Sequence, residues 1–539
     1  MKRRLLSARR SLTGILLAML SLASCIKMAG PQQEQSTPAS SASQTFVAAA
    51  NAVIAPGTNG FYSITNVLSG HAMEVFASST ANGGAVVQYA NFGFQNQKWV
   101  VKDIGSGYFS LQNGYSGKVL DVPGSTTVSG TQLQQYTWNT SNAQQWSIVD
   151  VGSGAYKIIN RGNGLAVTNH NGATGSGTAI TQETYTGSNA QKWIFTLDTR
   201  SSYQANNGWV SGAQVFTDLE YNNYLTRFSG WNGGDGCYSL LLPNNNVLWT
   251  FQDSFFGDVD ANRNRNANNN SFRRNAGILQ NNKSLSSFVQ LNSGTGKNAQ
   301  TWVQYDNLPS NDDHELYWPG DAQVKNNTVQ MLLSHLVYNT SGGLDHPGTD
   351  VAVFSLPNMT LTQVIKNKFV GNTTYDGGLL TDADGYTYMY GGDGNGVKVA
   401  RVANNDLTGT WQFYTNSGWQ NTPDSRVIMT DNASIPNVFK EGTKYYFVTR
   451  NPNIYLSKDV YIYEATSPIG PWTNKRTIYV EPPITNVVTY NASLHQELSR
   501  EGELVLSYNT NPTSFWDNFN APGSADKYRP YFVRIYNWK

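Results

Sequence analysis

From about residue 57 onward the chain is written in short alternations of apolar and polar residues, such as Gly107-Tyr-Phe-Ser-Leu-Gln and Ala155-Tyr-Lys-Ile-Ile-Asn, broken by Gly and Asn. A period of two bounded by turn residues predicts β-strands joined as hairpins. In the first part these runs keep a strict register. Gln97-Lys98-Trp99, Gln144-Gln145-Trp146 and Gln191-Lys192-Trp193 place successive tryptophans 47 residues apart. Asn142 and Asn189 precede the last two triplets by two residues, and Gln88-Tyr89 recurs as Gln135-Tyr136. A repeat of this size is one supersecondary unit used three times. Each unit is too small to bury its apolar face alone, so the three are expected to close around a pseudo-threefold axis.

The later part has a looser repeat. Five segments open on a polar residue and run into a strand: Asp235-Gly-Cys-Tyr-Ser-Leu, Asp321-Ala-Gln-Val, Asp376-Gly-Gly-Leu-Leu, Ser434-Ile-Pro-Asn-Val-Phe and Ser493-Leu-His-Gln-Glu-Leu. Each is followed by a turn and a second strand, as in Val247-Leu-Trp-Thr-Phe or Lys444-Tyr-Tyr-Phe-Val, and most reach a third. About five antiparallel meanders in series predict a five-bladed β-propeller. Residues 208–227 are expected to add an outer strand to the last blade. The predicted fold class is therefore all-β, a β-trefoil followed by a five-bladed β-propeller. The predicted divisions are 1–25 as a signal peptide, 26–56 as a linker, 57–197 as the trefoil and 208–539 as the propeller.

The three Gln-x-Trp units resemble the ricin-type β-trefoil lectins over about residues 57–197. The resemblance implies that Gln and Trp build the core, while sugar is met by a carboxylate early in the unit and an aromatic residue about fifteen later. A carboxylate accepts bonds from vicinal hydroxyls, and an aromatic face covers the apolar side of a sugar ring. Unit two offers Asp121 and Tyr136, with Trp138 and Asn139 beside them. Unit one offers Glu74 and Tyr89. Unit three carries Ala166 at the place read as the carboxylate and Glu183 at the aromatic one, so that site is expected to be dead.

Composition narrows the setting. Aromatic residues are plentiful, with 14 Trp, 30 Tyr and 22 Phe, while charged residues make up only 14%. That profile suits a turn-rich exported β-protein. The formal charge is +1, and it becomes −4 when the five basic residues of the amino-terminal segment are set aside, so no nucleic-acid partner is expected. That segment has a basic start, an apolar run over Gly14–Leu22, and then Leu22-Ala23-Ser24-Cys25. It resembles a bacterial lipoprotein signal, which implies lipidation at Cys25 and a cell-envelope protein at the outer membrane or surface; otherwise the chain is secreted. The run is too short to span a bilayer as a mature anchor. Residues 26–56, rich in Gln, Ser, Ala and Thr, read as a flexible tether. Only Cys237 remains beyond Cys25, which excludes an intrachain disulfide in the mature chain. A monomer is expected.

The innermost strands of a propeller begin around one funnel, so the residues opening each segment converge there. The candidates are Asp235, Asp321, Asp376 and the pair His495 and Glu497. Asp253 joins them, because a strand's beginning and its hairpin partner's end share an edge. Carboxylates brought together push their pKa values apart, which lets one stay protonated while another is ionised, as glycoside cleavage requires. Asp235 is read as nucleophile or base and Asp253 as acid, or the two exchanged. His495 and Glu497, two apart on a strand, are expected to share a face. Arg274 and Trp318 are candidate substrate contacts. No cofactor is expected, and a structural calcium or sodium ion in the channel stays open. Gly391-Gly-Asp-Gly-Asn-Gly396 precedes a strand and reads as a hairpin, and Asp258-Val-Asp260 lacks the glycine and glutamate of an EF-hand.

Gly233-Gly-Asp235-Gly, Leu248-Trp-Thr-Phe-Gln-Asp253-Ser-Phe-Phe-Gly257 and Arg274-Asn-Ala-Gly-Ile resemble the opening of domain of unknown function 4185 and its relatives. The closing motifs Tyr490-Asn-Ala-Ser-Leu-His495-Gln-Glu497 and Tyr528-Arg-Pro-Tyr-Phe-Val resemble its end. The likeness covers roughly residues 215–539. That group includes glycoside hydrolase family 183, and it implies an endo-acting D-arabinanase with a polysaccharide substrate. Gln496 departs from the proline usual between the His and the Glu, and the long Asn-rich loop, Asp258 to Ser271, reads as an elaboration. The alternatives are an exo-acting arabinofuranosidase or other propeller glycosidase, and a non-catalytic glycan-binding surface protein.

Overall fold

The computed structural model describes residues 60–198, 201–203, 213–306, 314–432, 435–453, 457–499, 502–536 and 538–539. The signal segment with Cys25, the tether 26–56, residues 208–212 and Ser434 lie outside them. The described chain is all-β, with one short α-helix, Leu219–Tyr224.

In the amino-terminal part the first strand, Gly60–Asn66, pairs antiparallel with the last, Trp193–Leu197, so the repeat closes on itself. The three tryptophans are fully buried in one core drawn from all three units. Each indole Nε1 donates to a carbonyl 26 residues earlier: Trp99 to Met73 O at 2.9 Å, Trp146 to Leu120 O at 3.1 Å and Trp193 to Val167 O at 3.0 Å. A buried indole N–H left without a partner would be costly, so each Trp fixes its own unit's register.

The carboxyl-terminal part contains five consecutive antiparallel meanders. Their first strands are Tyr238–Leu241, Glu315–Lys325, Thr374–Thr381, Asn437–Glu441 and Val487–Leu494. The fifth sheet runs outward through Glu503–Pro512 and Pro530–Tyr536, then takes its outer strands from earlier in the chain, Gln214–Asp218 and Ser201–Tyr203. Val215 pairs with Ile535 in that closure. Burial peaks in the second strand and falls toward the outside. In the second sheet Thr328–Tyr338 is buried almost throughout, whereas the outermost strand, Thr360–Val370, is mostly exposed or half-buried. Apolar clusters lie between the first and second sheets, the second and third, the third and fourth, the fourth and fifth, and the fifth and first.

The Asn-rich stretch is not a loop. Arg265–Arg273 is a strand, and with Ser254–Val259 and Ser229–Gly234 it forms a separate three-stranded sheet inserted into the first meander. The two halves of the chain meet at a compact aromatic seam. The Phe61 ring stacks on Phe216 at 4.5 Å and lies 5.6 Å from Tyr536, with Val100 completing the cluster.

Candidate functional site

Asp235 and Asp253 are brought side by side. The Asp235 amide donates to Asp253 O at 3.1 Å, and the Gln252 amide donates to Asp235 O at 2.8 Å. The two residues bridge the inserted sheet and the first meander, and Gly234 makes this possible. A Cβ there would lie 2.6 Å from Ser254 Oγ and 3.1 Å from Asp253 O.

The two carboxyls have opposite surroundings. Asp253 lies beside the Arg274 guanidinium, with Nη1 3.4 Å from Oδ1, and accepts from Trp318 Nε1 at 3.0 Å. Arg274 also donates to the Tyr338 hydroxyl and lies over the Phe272 ring. A cation and an indole N–H both favour the ionised form of Asp253. Among the described residues no cation lies beside Asp235. Tyr490 Oη donates to its Oδ2 at 2.6 Å, and the Tyr528 hydroxyl faces the same carboxyl. Only the Tyr490 bond is fully formed, and Oδ1 is buried without a hydrogen-bond partner. Burial first, and the Asp253 charge second, push Asp235 up to about 7, with the two tyrosines partly opposing.

Asp376 lies nearby and is buried. It accepts from Ser334 Oγ, whose oxygen is 3.2 Å from His346 Nε2. The backbone of Asp376 packs so closely on the second sheet that a Cβ on Gly320 would fall 2.3 Å from its carbonyl oxygen. The buried Tyr238 hydroxyl has Asp376, Asp321 and Asp235 among its charged neighbours, and it links this cluster to the interior.

The other candidates go elsewhere. A cavity of about 530 Å³ is lined by the first strands of all five sheets, including Tyr238, Asp321, Gly377, Asn437, Ser493 and Glu497. Asp235, Asp253 and Asp376 are not among its lining, so the acidic residues divide between two places rather than sharing one crater. The paired carboxyls have contrasting surroundings, Asp253 beside a guanidinium and Asp235 beside tyrosines. Asp321 is a sheet-to-sheet tie. Its Oδ1 accepts from Ala322 N at 2.8 Å and its Oδ2 from Leu379 N at 2.7 Å, while burial raises it to about 6.

Glu497 faces the same cavity, accepts from Ser239 Oγ, and is raised by burial to about 7. His495 and Glu497 do not share a strand face, because the strand ends at Leu494 and Glu497 lies on the 3₁₀ turn Gln496–Leu498. His495 is wholly buried. Its ring nitrogens meet Ser239 Oγ at 2.5 Å and Ser507 Oγ at 2.9 Å, and burial holds it at about 3, which keeps it neutral. A ring so enclosed is placed to orient Ser239, which it shares with Glu497, rather than to meet a ligand. Of the run Asp312-Asp313-His314-Glu315, the first two residues lie outside the described chain; His314 is exposed and Glu315 begins a strand.

Tyr490, Tyr528, Tyr338, Ser334 and His346 were not singled out from sequence. Tyr490 and Tyr528 do stand at the heads of the two closing motifs. The other three carry no local signal among so many tyrosines and serines.

In the amino-terminal part, Gln97 Nε2 donates to Glu74 Oε2 at 2.8 Å, and Gln134 Nε2 to Asp121 Oδ2 at 2.7 Å. Burial raises both carboxyls, with these bonds partly opposing. Gln191 Nε2 makes the corresponding contact to Thr168 Oγ1 at 3.2 Å. The position equivalent to Glu74 and Asp121 is therefore Thr168, two residues after the Ala166 expected from the sequence. Tyr136 and Trp138 are exposed beside Asp121, and the Asn139 amide donates to Gln144 Oε1 at 2.8 Å. Tyr89 is joined by Phe92 and Phe94 in an exposed aromatic row.

Residues 218–538, more than half of the chain, match a family described as a domain of unknown function, DUF5005. The chain belongs to the DUF5005 family. Residues 95–183 and 142–208 match the ricin-type β-trefoil lectin domain-like family, so the part preceding the DUF5005 domain is lectin-like. A crystal structure of a Bacteroides ovatus protein, provisionally described as a hydrolase, is similar at 32% identity and a TM-score of 0.58. It covers 63% of this chain and 95% of its own. The designed three-fold symmetric protein ThreeFoil is 37% identical over 25% of this chain and 98% of its own, with a TM-score of 0.25. An exo-β-1,3-galactanase from Clostridium thermocellum is 33% identical over 26% of this chain and 30% of its own, also at 0.25. No curated protein matches the chain.

Proposed function

We propose that the protein is an exported glycoside hydrolase of the DUF5005 family that cleaves internal arabinofuranosidic bonds of an arabinan-type polysaccharide, with its lectin-like part binding glycan. The reading is carried by one observation: two adjacent carboxyls, Asp253 beside a guanidinium and Asp235 half-buried, with no cation beside it among the described residues, and raised to about 7. Such a pair supplies the acid for the leaving oxygen and the base or nucleophile across the ring. The surroundings favour the exchanged assignment, with Asp235 as acid and Asp253 as base or nucleophile. The hydrolase description of the Bacteroides ovatus relative supports the reaction class. The motif resemblance to glycoside hydrolase family 183 supports the sugar and the endo action.

We read the five meanders as blades of a propeller. The apolar clusters that link each sheet to the next, and the fifth to the first, support this reading, as does the shared cavity. Lipidation at Cys25, attachment to the cell envelope, a monomeric state and independence of any cofactor belong to the same proposal.

Purified protein incubated with arabinan is expected to release oligosaccharides. Arabinose alone would make the enzyme exo-acting, and no product from arabinan or a broad glycan panel would refute the hydrolase. The rate is expected to fall about tenfold per pH unit above roughly pH 7 as Asp235 loses its proton. A rate flat from pH 6 to 9 would exclude Asp235 as the acid.

A further inference from the structure

Arg265 is a cation in the wrong place for an ordinary one. Its guanidinium is fully buried and makes no salt bridge with a carboxylate among the described residues, and burial lowers its pKa to about 9. A charge held in this way is expensive, and an apolar residue of similar volume would fill the space at less cost. What it holds accounts for its presence.

The Arg265 Nε donates to Asn232 Oδ1 at 2.8 Å, and Nη2 reaches Asn232 O at 3.3 Å and Ala525 O at 3.4 Å. Nη1 donates to Asn518 O at 3.2 Å, and the Phe255 ring lies 4.1 Å beneath the group. The Arg265 peptide adds two more ties: its amide donates to Ser524 Oγ at 2.9 Å, and its carbonyl accepts from Asn520 N at 2.9 Å. One residue of the inserted sheet thus grips the segment 518–525 and strand Ser229–Gly234 together.

Both gripped elements lead into the carboxyl pair. Asn232 is three residues before Asp235, and Ala525 is three before Tyr528. Their approach is so close that a Cβ on Gly233 would lie 2.3 Å from Tyr528 O and 2.6 Å from Arg265 Nη2. Beyond Tyr528 a second buried guanidinium, Arg529, holds the chain through Thr226 Oγ1 at 2.5 Å and Asn222 O at 2.6 Å. Tyr528 is pinned on both sides.

We infer that Arg265 is a positioning residue: it locks the segment 518–525 onto strand Ser229–Gly234 and so sets the Tyr528 hydroxyl against the Asp235 carboxyl. Its consequence for catalysis rests on the reading of Asp235 as the acid. The titratable groups facing Asp235 are Asp253, Tyr238, Tyr490 and Tyr528, and among them Tyr528 is the one that Arg265 places. Withdrawing that hydroxyl removes support for the ionised carboxyl, so Asp235 binds its proton more tightly.

The test needs no substrate. Stability is measured from pH 5 to 9 in the full chain for the parent, Tyr528→Phe, Arg265→Lys and Arg265→Met, each with and without Asp235→Asn. The pH dependence of each difference reports the Asp235 midpoint. Tyr528→Phe is expected to raise it by about half a pH unit, less than the roughly one unit of a fully formed hydrogen bond to a charged group. Both Arg265 variants are expected to move it the same way by at least half as much. Should neither Arg265 variant fold, Ser524→Ala decides, with a smaller upward shift expected. A folded Arg265 variant, or in that case Ser524→Ala, that leaves the parental midpoint overturns the inference, as does an unshifted Tyr528→Phe. On arabinan, the alkaline limb of the rate should move with the midpoint. Absence of any hydrolysis by the parent would remove the proposed function and leave the positioning result standing.

Discussion

Asp235→Asn is expected to lower arabinan hydrolysis by about 10²- to 10⁴-fold and, at pH 8, to melt higher than the parent. The two effects share one cause. In the folded chain the Asp235 pKa is raised to about 7, against 3.8 for a free aspartate. From about pH 4 to pH 7 the native state therefore holds a proton that the unfolded chain has lost, and stability declines as pH climbs through that window. Above it the native carboxyl is ionised without a cation, and the whole penalty is present. Asparagine keeps the shape and removes the titration, so the variant should gain on the order of 1–3 kcal/mol at pH 8, a gain that fades toward pH 4.

Comparing variant with parent at each pH matters, because other groups titrate too. Asp321 and Asp218, raised to about 6, and Glu497, raised to about 7, act in the same direction. His495, held near 3, opposes them below its unfolded value. Differential scanning calorimetry at pH 5 and pH 8 reads the difference. A variant less stable than the parent at pH 8 would mean that the carboxyl is not strained there.

The second large effect lies at the closure of the fifth sheet. Arg534 is buried among Asp218 at 2.7 Å, Glu503 at 2.6 Å and Glu220 at 3.1 Å. Asp218 ends the strand Gln214–Asp218 that closes the sheet, and it also accepts from Tyr221 N at 2.9 Å to start the short helix. Arg534→Met fills the space but leaves carboxylates buried without their cation, and is expected to cost about 3–5 kcal/mol at pH 8. The loss should shrink at pH 5, where Asp218, raised by burial to about 6, can take up a proton. Urea titration at both pH values measures it. A cost below about 1 kcal/mol would mean that the amino-terminal strand is held by apolar contact alone.

The sequence was most legible where one residue type enforces a register. The 47-residue tryptophan period reports a buried N–H that must find the same carbonyl in each unit, so the trefoil could be read without coordinates. The five meanders were visible as alternation, and the closing strand as a spare one. Asp235 and Asp253 could be paired because a hairpin fixes their proximity. Beyond hairpin range the reading weakened. Asp321 opens its segment much as Asp376 does, and both lie at bulges, yet Asp321 turns to the Leu379 amide and Asp376 to the Ser334 hydroxyl. His495 and Glu497 were read as one strand face because nothing local announces that the strand stops at Leu494. The assignment of Ala166 fell two residues short of the 47-residue register, which carries Asp121 to Thr168, because no acidic residue marks the place in the third unit. The tyrosines at the site come from the second and fifth sheets, and only packing brings them to the carboxyl pair.

The seam of Phe61, Phe216, Tyr536 and Val100 bears on how the two halves cooperate. Had they been joined by a loose string, reach would depend on its length and each half would sample many orientations. Stacked rings at 4.5 Å act instead as a welded elbow. For the proposed function this means that a polymer seated on the lectin-like half is presented to the carboxyl pair from one heading, and that loosening the elbow alters where along a chain the protein works before it alters how tightly the protein holds on.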